Sequence, residues 1–153
     1  MRIRKALLSD TKDISELISG LSVKFIADTF SSYGREFLLS TMTPQAIEKH
    51  IQSGYRYHVA EMDGSLVGVV AVRDNKHLYH LFVAEEYQRQ GIAKELWQLA
   101  MEECLNNGNA GEFTVNSSEY AQGVYKQLGF VAQPGPRIKN GVVFFPMSLQ
   151  LGQ

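Results

Sequence analysis

The spacing of hydrophobic positions changes several times along the chain, and each change marks an element. Ile14, Leu17, Ile18 and Leu21 recur at helical spacing, and Val23, Phe25 and Ile26 extend the apolar surface. A first strand over residues 3–6 precedes this helix, with Ser9 or Asp10 placed to cap it. A second helix is expected over residues 35–40. Thr43 and Pro44 form a sharp helix start, cap then first position, with Ala46, Ile47 and Ile51 inward and Ser53-Gly54 as the stop. From Tyr55 the period becomes two, as in a strand. Asp63-Gly64 is a hairpin turn, and residues 65–73 are apolar on both faces, as in a central strand. Gly68 within it marks a bulge or a close approach. Asp74-Asn75-Lys76 turns the chain into a third strand, residues 77–83.

Beyond this strand the period returns to helical at Ile92, Leu96, Leu99 and Ala100, ending near Asn106-Asn107-Gly108. A strand over 112–116 follows, then caps at Ser117 and Ser118, a helix over 120–128, a stop at Gly129 and a strand over 130–132. Pro134-Gly135-Pro136 is a loop, and Lys139-Asn140-Gly141 turns into a last strand over 142–149. There is no internal repeat or linker, so residues 1–153 form one domain.

The turn between residues 83 and 92 carries candidate chemistry. A strand feeding a helix leaves the first helical N–H groups unpaired, at the positive end of the helix dipole. Gly91 permits close backbone approach, Ala93 keeps the first turn small, and Arg89 adds charge. Such a loop suits a pyrophosphate. A glycine at a strand-to-helix turn is also an ordinary structural device, and Arg89 reads equally as a solvated loop charge.

Composition narrows the field. With 44% hydrophobic and 20% charged residues the chain is that of a soluble globular protein. A net charge of −1 without a basic block argues against nucleic acid. No segment reads as a signal peptide or membrane span. Cys104, the single cysteine, allows no internal disulfide and reads as a packing residue. A cytoplasmic setting fits these features. No His/Asp/Glu cluster has metal-ligand spacing, so no metal is expected.

Two motifs fit a known pattern. Gln88-x-x-Gly91-x-Ala93 after a strand ending in Val83 resembles the acetyl-CoA loop of the GNAT superfamily of N-acetyltransferases, with Ala93 where many members have glycine. Asn116 at a strand end, followed by Tyr125-Lys126-Gln127-Leu128-Gly129-Phe130, resembles the second hallmark of that superfamily. The resemblance spans the chain, most strongly from Tyr55 onward. It implies a mixed α/β fold whose central, mostly antiparallel sheet has about seven strands and about four flanking helices. The sheet would splay between strands 77–83 and 112–116 to admit acetyl-CoA as co-substrate. The backbone of Leu81, Phe82 and Val83 would pair with the pantetheine arm, and Asn116 would reach it from the other side. The amides of Arg89, Gln90, Gly91, Ile92 and Ala93 would hold the pyrophosphate. Val83 N–H would receive the oxyanion, and Tyr125 would act as general acid in direct attack by a primary amine.

The general base stays open among His77, His80, Glu61, Glu85 and a water chain. On a regular strand His77 and His80 face opposite ways, unless a bulge changes the parity. The acceptor is a small-molecule or peptide amine, and the absence of acid clusters weighs against polyamines. Phe25, Phe30, Tyr33 and Phe37 are expected in the core rather than in an acceptor pocket. A final exposed strand offers a surface for pairing two chains. The competing readings are a non-catalytic acyl-CoA-binding or sensing module, and a plain α/β domain that binds another phosphate ligand.

Overall fold

The computed structural model describes residues 1–26 and 30–152. Its elements in order are β1 (Arg2–Lys5), α1 (Thr11–Phe25), α2 (Ser32–Ser40), α3 (Pro44–Gln52), β2 (Arg56–Met62), β3 (Ser65–Arg73), β4 (His77–Val83), α4 (Ile92–Asn106), β5 (Glu112–Ser117), α5 (Gln122–Gln127), β6 (Val131–Ala132), β7 (Arg137–Lys139) and β8 (Val142–Gln150). Eight strands form the order β1-β2-β3-β4-β5-β8-β6, with β7 also on β8. Among the described residues only the β4–β5 pair is parallel. This is the expected mixed, mostly antiparallel α/β fold, with eight strands and five helices. No helix among the described residues is long and apolar enough to cross a membrane.

Local chemistry accounts for the boundaries. Thr43 accepts the Ala46 N–H at 3.1 Å and caps α3, with Pro44 at its first position. Asp63 and Gly64 both have positive φ, 53° and 80°, the conformation of the two-residue hairpin turn between β2 and β3. Asp10 behaves differently from the expected cap. It stands at the start of α1, but its carboxylate turns back to accept the Leu7 N–H at 2.7 Å and the Arg4 guanidinium at 2.8 Å. Arg4, which also bonds Glu61, holds the Asp10 carboxyl below its ordinary range. The chain between β1 and α1 is thereby tied to β2.

Both faces of β3 are buried. Val70 and Val72 pack with Leu96, Trp97, Ala100 and Cys104 of α4, while Val69 and Ala71 pack with Ile14, Ile18 and Ile47 of α1 and α3. Val67 joins Val70 and Val72 rather than Val69, so the alternation breaks at Gly68, where β3 bulges against β2. A Cβ at Gly68 would come 2.9 Å from Leu96 Cδ1, so this glycine marks both a bulge and a close approach.

Several boundaries depart from the sequence pattern. The helix expected over 120–128 is α5, Gln122–Gln127, because Ser118 Oγ takes the Ala121 N–H and makes a turn ahead of it. β7 was hidden behind a proline-rich loop. β8 is not an exposed edge, since β5 lies on one side and β6 and β7 on the other. Of the four aromatics expected in the core, Phe25 and Phe30 are half-buried, and Tyr33 and Phe37 are exposed.

Candidate active site

β4 and β5 pair only at His77–Thr114 and Leu78–Val115. Immediately beyond, β4 bulges against β3: His80 lies opposite Ala71 and Leu78 opposite Val72, leaving Tyr79 as the extra residue. A bulge bends its strand and adds twist, and here it begins where contact with β5 ends. β5 continues along β8, and β4 continues along β3, so the two part. Ala84 N–H donates to Val67 O at 2.8 Å. By alternation, the backbone groups of Phe82 face β3, while those of Leu81 and Val83 face the opened seam.

The loop beyond β4 is held in shape from within. Gln88 Nε2 donates to Val83 O at 3.0 Å, which fastens the loop to the end of β4. Arg89 and Gly91 have positive φ, 66° and 82°. That conformation suits glycine and is uncommon for arginine, and such strain collects at functional positions. Gly91 stands at the N-terminus of α4 without a side-chain cap, so the first N–H groups of the helix have no partner within it. Arg89, Gly91, Ile92 and Ala93 line a groove of about 890 Å³ that runs along Leu81, Phe82 and Val83 to Tyr125.

On the other side of Tyr125 lies a second cavity, of about 370 Å³. Leu81, Phe82, Ala121 and Tyr125 line both spaces, so they meet there. The motif ending in Leu128-Gly129-Phe130 fixes this junction. Gly129 takes φ 102°, and the Phe130 N–H returns to Tyr125 O at 3.0 Å. The Phe130 ring then packs edge-on against Tyr125, 5.9 Å between centroids, and against Trp97. Tyr125 is 8% exposed, and burial pushes its phenol pKa well above the ordinary value. The hydroxyl therefore keeps its proton across the neutral range.

The bulge at Tyr79 also reverses the parity expected of β4, so both His77 and His80 line the smaller cavity. Thr114 Oγ1 lies 2.7 Å from His77 Nδ1. Burial lowers His77 to about 4 and His80 to about 3, so both rings are neutral near pH 7. His80 Nε2 is buried without a hydrogen-bond partner among the described residues. Glu61 is engaged by Arg4 and Glu85 by Lys24, and neither lines either cavity. Asn116 lines the smaller cavity and pairs with Pro146 across β5–β8.

Two cations that the sequence did not single out, Arg73 and Lys139, also line the smaller cavity. Phe30 and Phe37 line it too, and Phe25 lines the larger groove while stacking on Tyr120 at 4.9 Å. These aromatics are walls rather than core. Among the described residues there is no group of three or more His, Cys, Asp or Glu that would hold a metal ion.

The family model for the acetyltransferase (GNAT) domain matches residues 25–151. Among curated proteins, no sequence matches. Similar solved structures include a GCN5-related N-acetyltransferase from Rhodopseudomonas palustris, 20% identical, covering 98% of this chain and 95% of that one, TM-score 0.83. The PaiA N-acetyltransferase from Thermoplasma acidophilum, solved in complex with coenzyme A, is 19% identical, covers 98% of each chain and has a TM-score of 0.80. A GNAT-family acetyltransferase from Staphylococcus aureus Mu50 is 18% identical, covers 99% of each chain and has a TM-score of 0.77. Likeness at these identities is likeness of fold.

Proposed function

The chain belongs to the GNAT acetyltransferase family, and on that premise we propose that it moves an acetyl group from acetyl-CoA to a primary amine by direct attack. The observation that carries this reading is the meeting of two cavities at Tyr125, beside the unpaired edge of β4. The larger groove takes the co-substrate. Its walls fit: the backbone groups of Leu81 and the N–H of Val83 face the seam and can pair with an amide-bearing arm, Phe82 offers its ring, and Asn116, which lines the smaller cavity, would reach the arm from β5. The N–H groups of Arg89, Gln90, Gly91, Ile92 and Ala93 receive the pyrophosphate, helped by the dipole of α4.

The amine enters from the smaller cavity and must be neutral to attack. No carboxylate among the described lining residues holds it as an ammonium, so it attacks as the neutral amine, and the proton made acidic by C–N bond formation leaves to water or to His77. As nitrogen bonds to the carbonyl carbon, negative charge builds on oxygen, where Val83 N–H is the donor. The C–S bond then breaks, and Tyr125 gives its proton to the departing thiolate. Burial keeps the phenol protonated at neutral pH, so a proton is in place when the thiolate departs, while the same burial makes the phenol a weaker acid.

Tyr125→Phe keeps the ring and removes the proton. Turnover, measured as thiol release, is expected to fall about 100-fold or more, with acetyl-CoA affinity by calorimetry little changed. Unchanged turnover would remove Tyr125 from the mechanism. Absence of thiol release from the unaltered protein across a broad amine panel, with acetyl-CoA still bound, would replace the enzyme by a binding module.

A further inference from the structure

Two cationic residues, Arg73 and Lys139, line the smaller cavity and, among the described residues lining it, there is no carboxylate. Between its polar groups the walls are apolar, with Phe30, Phe37, Leu38 and Phe144. Arg73 ends β3 opposite His77, and Leu81, at the junction with the larger groove, lies opposite Val70. Three steps along β3 therefore separate the two backbone positions, about 10 Å. One nitrogen of Arg73 holds the exposed Asp74 carboxylate at 2.7 Å. Its remaining N–H groups stay available, and an exposed pair of this kind is weak. Lys139 has no ion pair among the described residues.

Taking the acetyl-transfer reading as given, we infer that the acceptor is an amine with an apolar body and a carboxylate at its far end, received by Arg73. Lys139 adds to the positive potential of the same cavity. An amine held near Leu81 and Tyr125 leaves its apolar middle against the phenylalanines and its anionic end toward Arg73. A polyamine is disfavoured twice, by repulsion from both cations and by the lack of a carboxylate for its second ammonium.

The test compares glycyl-phenylalanine with glycyl-phenylalaninamide and spermidine, with thiol release from acetyl-CoA as readout. The free acid is expected to exceed the amide about tenfold in kcat/KM, the scale of one charge-assisted hydrogen bond. R73Q is expected to bring the two to parity, and K139Q to narrow the gap partly. An amide as good as the acid, a preference that survives R73Q, or spermidine ahead of both would overturn the inference. If no amine releases thiol, the acetyl-transfer reading fails, and binding then decides this one separately. Thermal stabilisation by 4-phenylbutyrate, absent with 4-phenylbutanamide and lost in R73Q, would support the seat. Equal responses to the two compounds would refute it.

Discussion

Gly34 and Gly141 cross at a contact with no room for a side chain, and a matched pair of substitutions tests what that contact does. A Cβ added at Gly34 would lie 2.0 Å from Gly141 O and 2.5 Å from its carbonyl carbon. Both are backbone atoms, so neither rotates aside. Comfortable carbon contacts are about 3.5–4.0 Å, and α2 must therefore separate from the β7–β8 turn by well over an ångström. Overpacking of this kind costs about 1–3 kcal/mol, while alanine returns up to about 1 kcal/mol of helix propensity. The net expectation for Gly34→Ala is a loss of about 1–2 kcal/mol, or about 2–8 °C in Tm for a domain of this size. Gly20 is the control. It lies exposed inside α1, and an added Cβ meets nothing within 4 Å. Gly20→Ala should therefore stabilise by about 0.5–1 kcal/mol. Phe37 and Leu38 of α2 and Val142 to Phe144 of β8 wall the smaller cavity, so Gly34→Ala should also raise the KM for the amine and leave that for acetyl-CoA alone. Thermal denaturation of both variants, with steady-state rates against each substrate, gives the readout. A Gly34→Ala protein as stable as its parent, with an unchanged amine KM, would refute the reasoning.

Two further outcomes follow from buried polar contacts. His77 has an ordinary pKa of 6.5 when unfolded and about 4 when folded, chiefly because burial disfavours its charged form. Folding is thus unpenalised above pH 6.5 and loses up to about 3 kcal/mol as pH falls toward 4; Tm measured across that window should drop more steeply in the parent than in His77→Asn, and parallel curves would contradict the assignment. Gln88→Ala removes the bond to Val83 O, worth about 1 kcal/mol, and should raise the acetyl-CoA KM about threefold to tenfold with little effect on the amine KM; the reverse pattern would place Gln88 on the acceptor side.

Much of the scaffold can be read from the chain because short-range chemistry sets it. Thr43-Pro44 and Asp63-Gly64 need only their own neighbours to define a cap and a turn, and Gly129 needs only its φ. The site is less legible. The bulge at Tyr79 depends on how β4 is paired with β3, which alternation within β4 does not encode, so His77 and His80 turn up on one face. Phe30 and Phe37 are as apolar as core residues, and only their placement between α2 and the β7–β8 hairpin makes them walls. Arg73 and Lys139 look like strand-end solvation in sequence; their meaning comes from sharing a cavity. Residues 137–139 are all exposed, so β7 has no buried face to produce a pattern.

The two-residue pairing of β4 with β5 divides the sheet into two leaves on a short spine. β4 takes its partners from β3 and β5 takes its own from β8, and beyond Leu78 the backbone groups of β4 that face the gap have no strand partner. The gap is therefore kept open because each flank is bound to its own outer neighbour and the two diverge, rather than by a prop. A guest bearing amides can restore the missing rungs without melting any existing one. The amide hydrogens of Leu81 and Val83 would then exchange quickly in the free protein and slowly with the gap filled, a local record of occupancy written in the backbone itself.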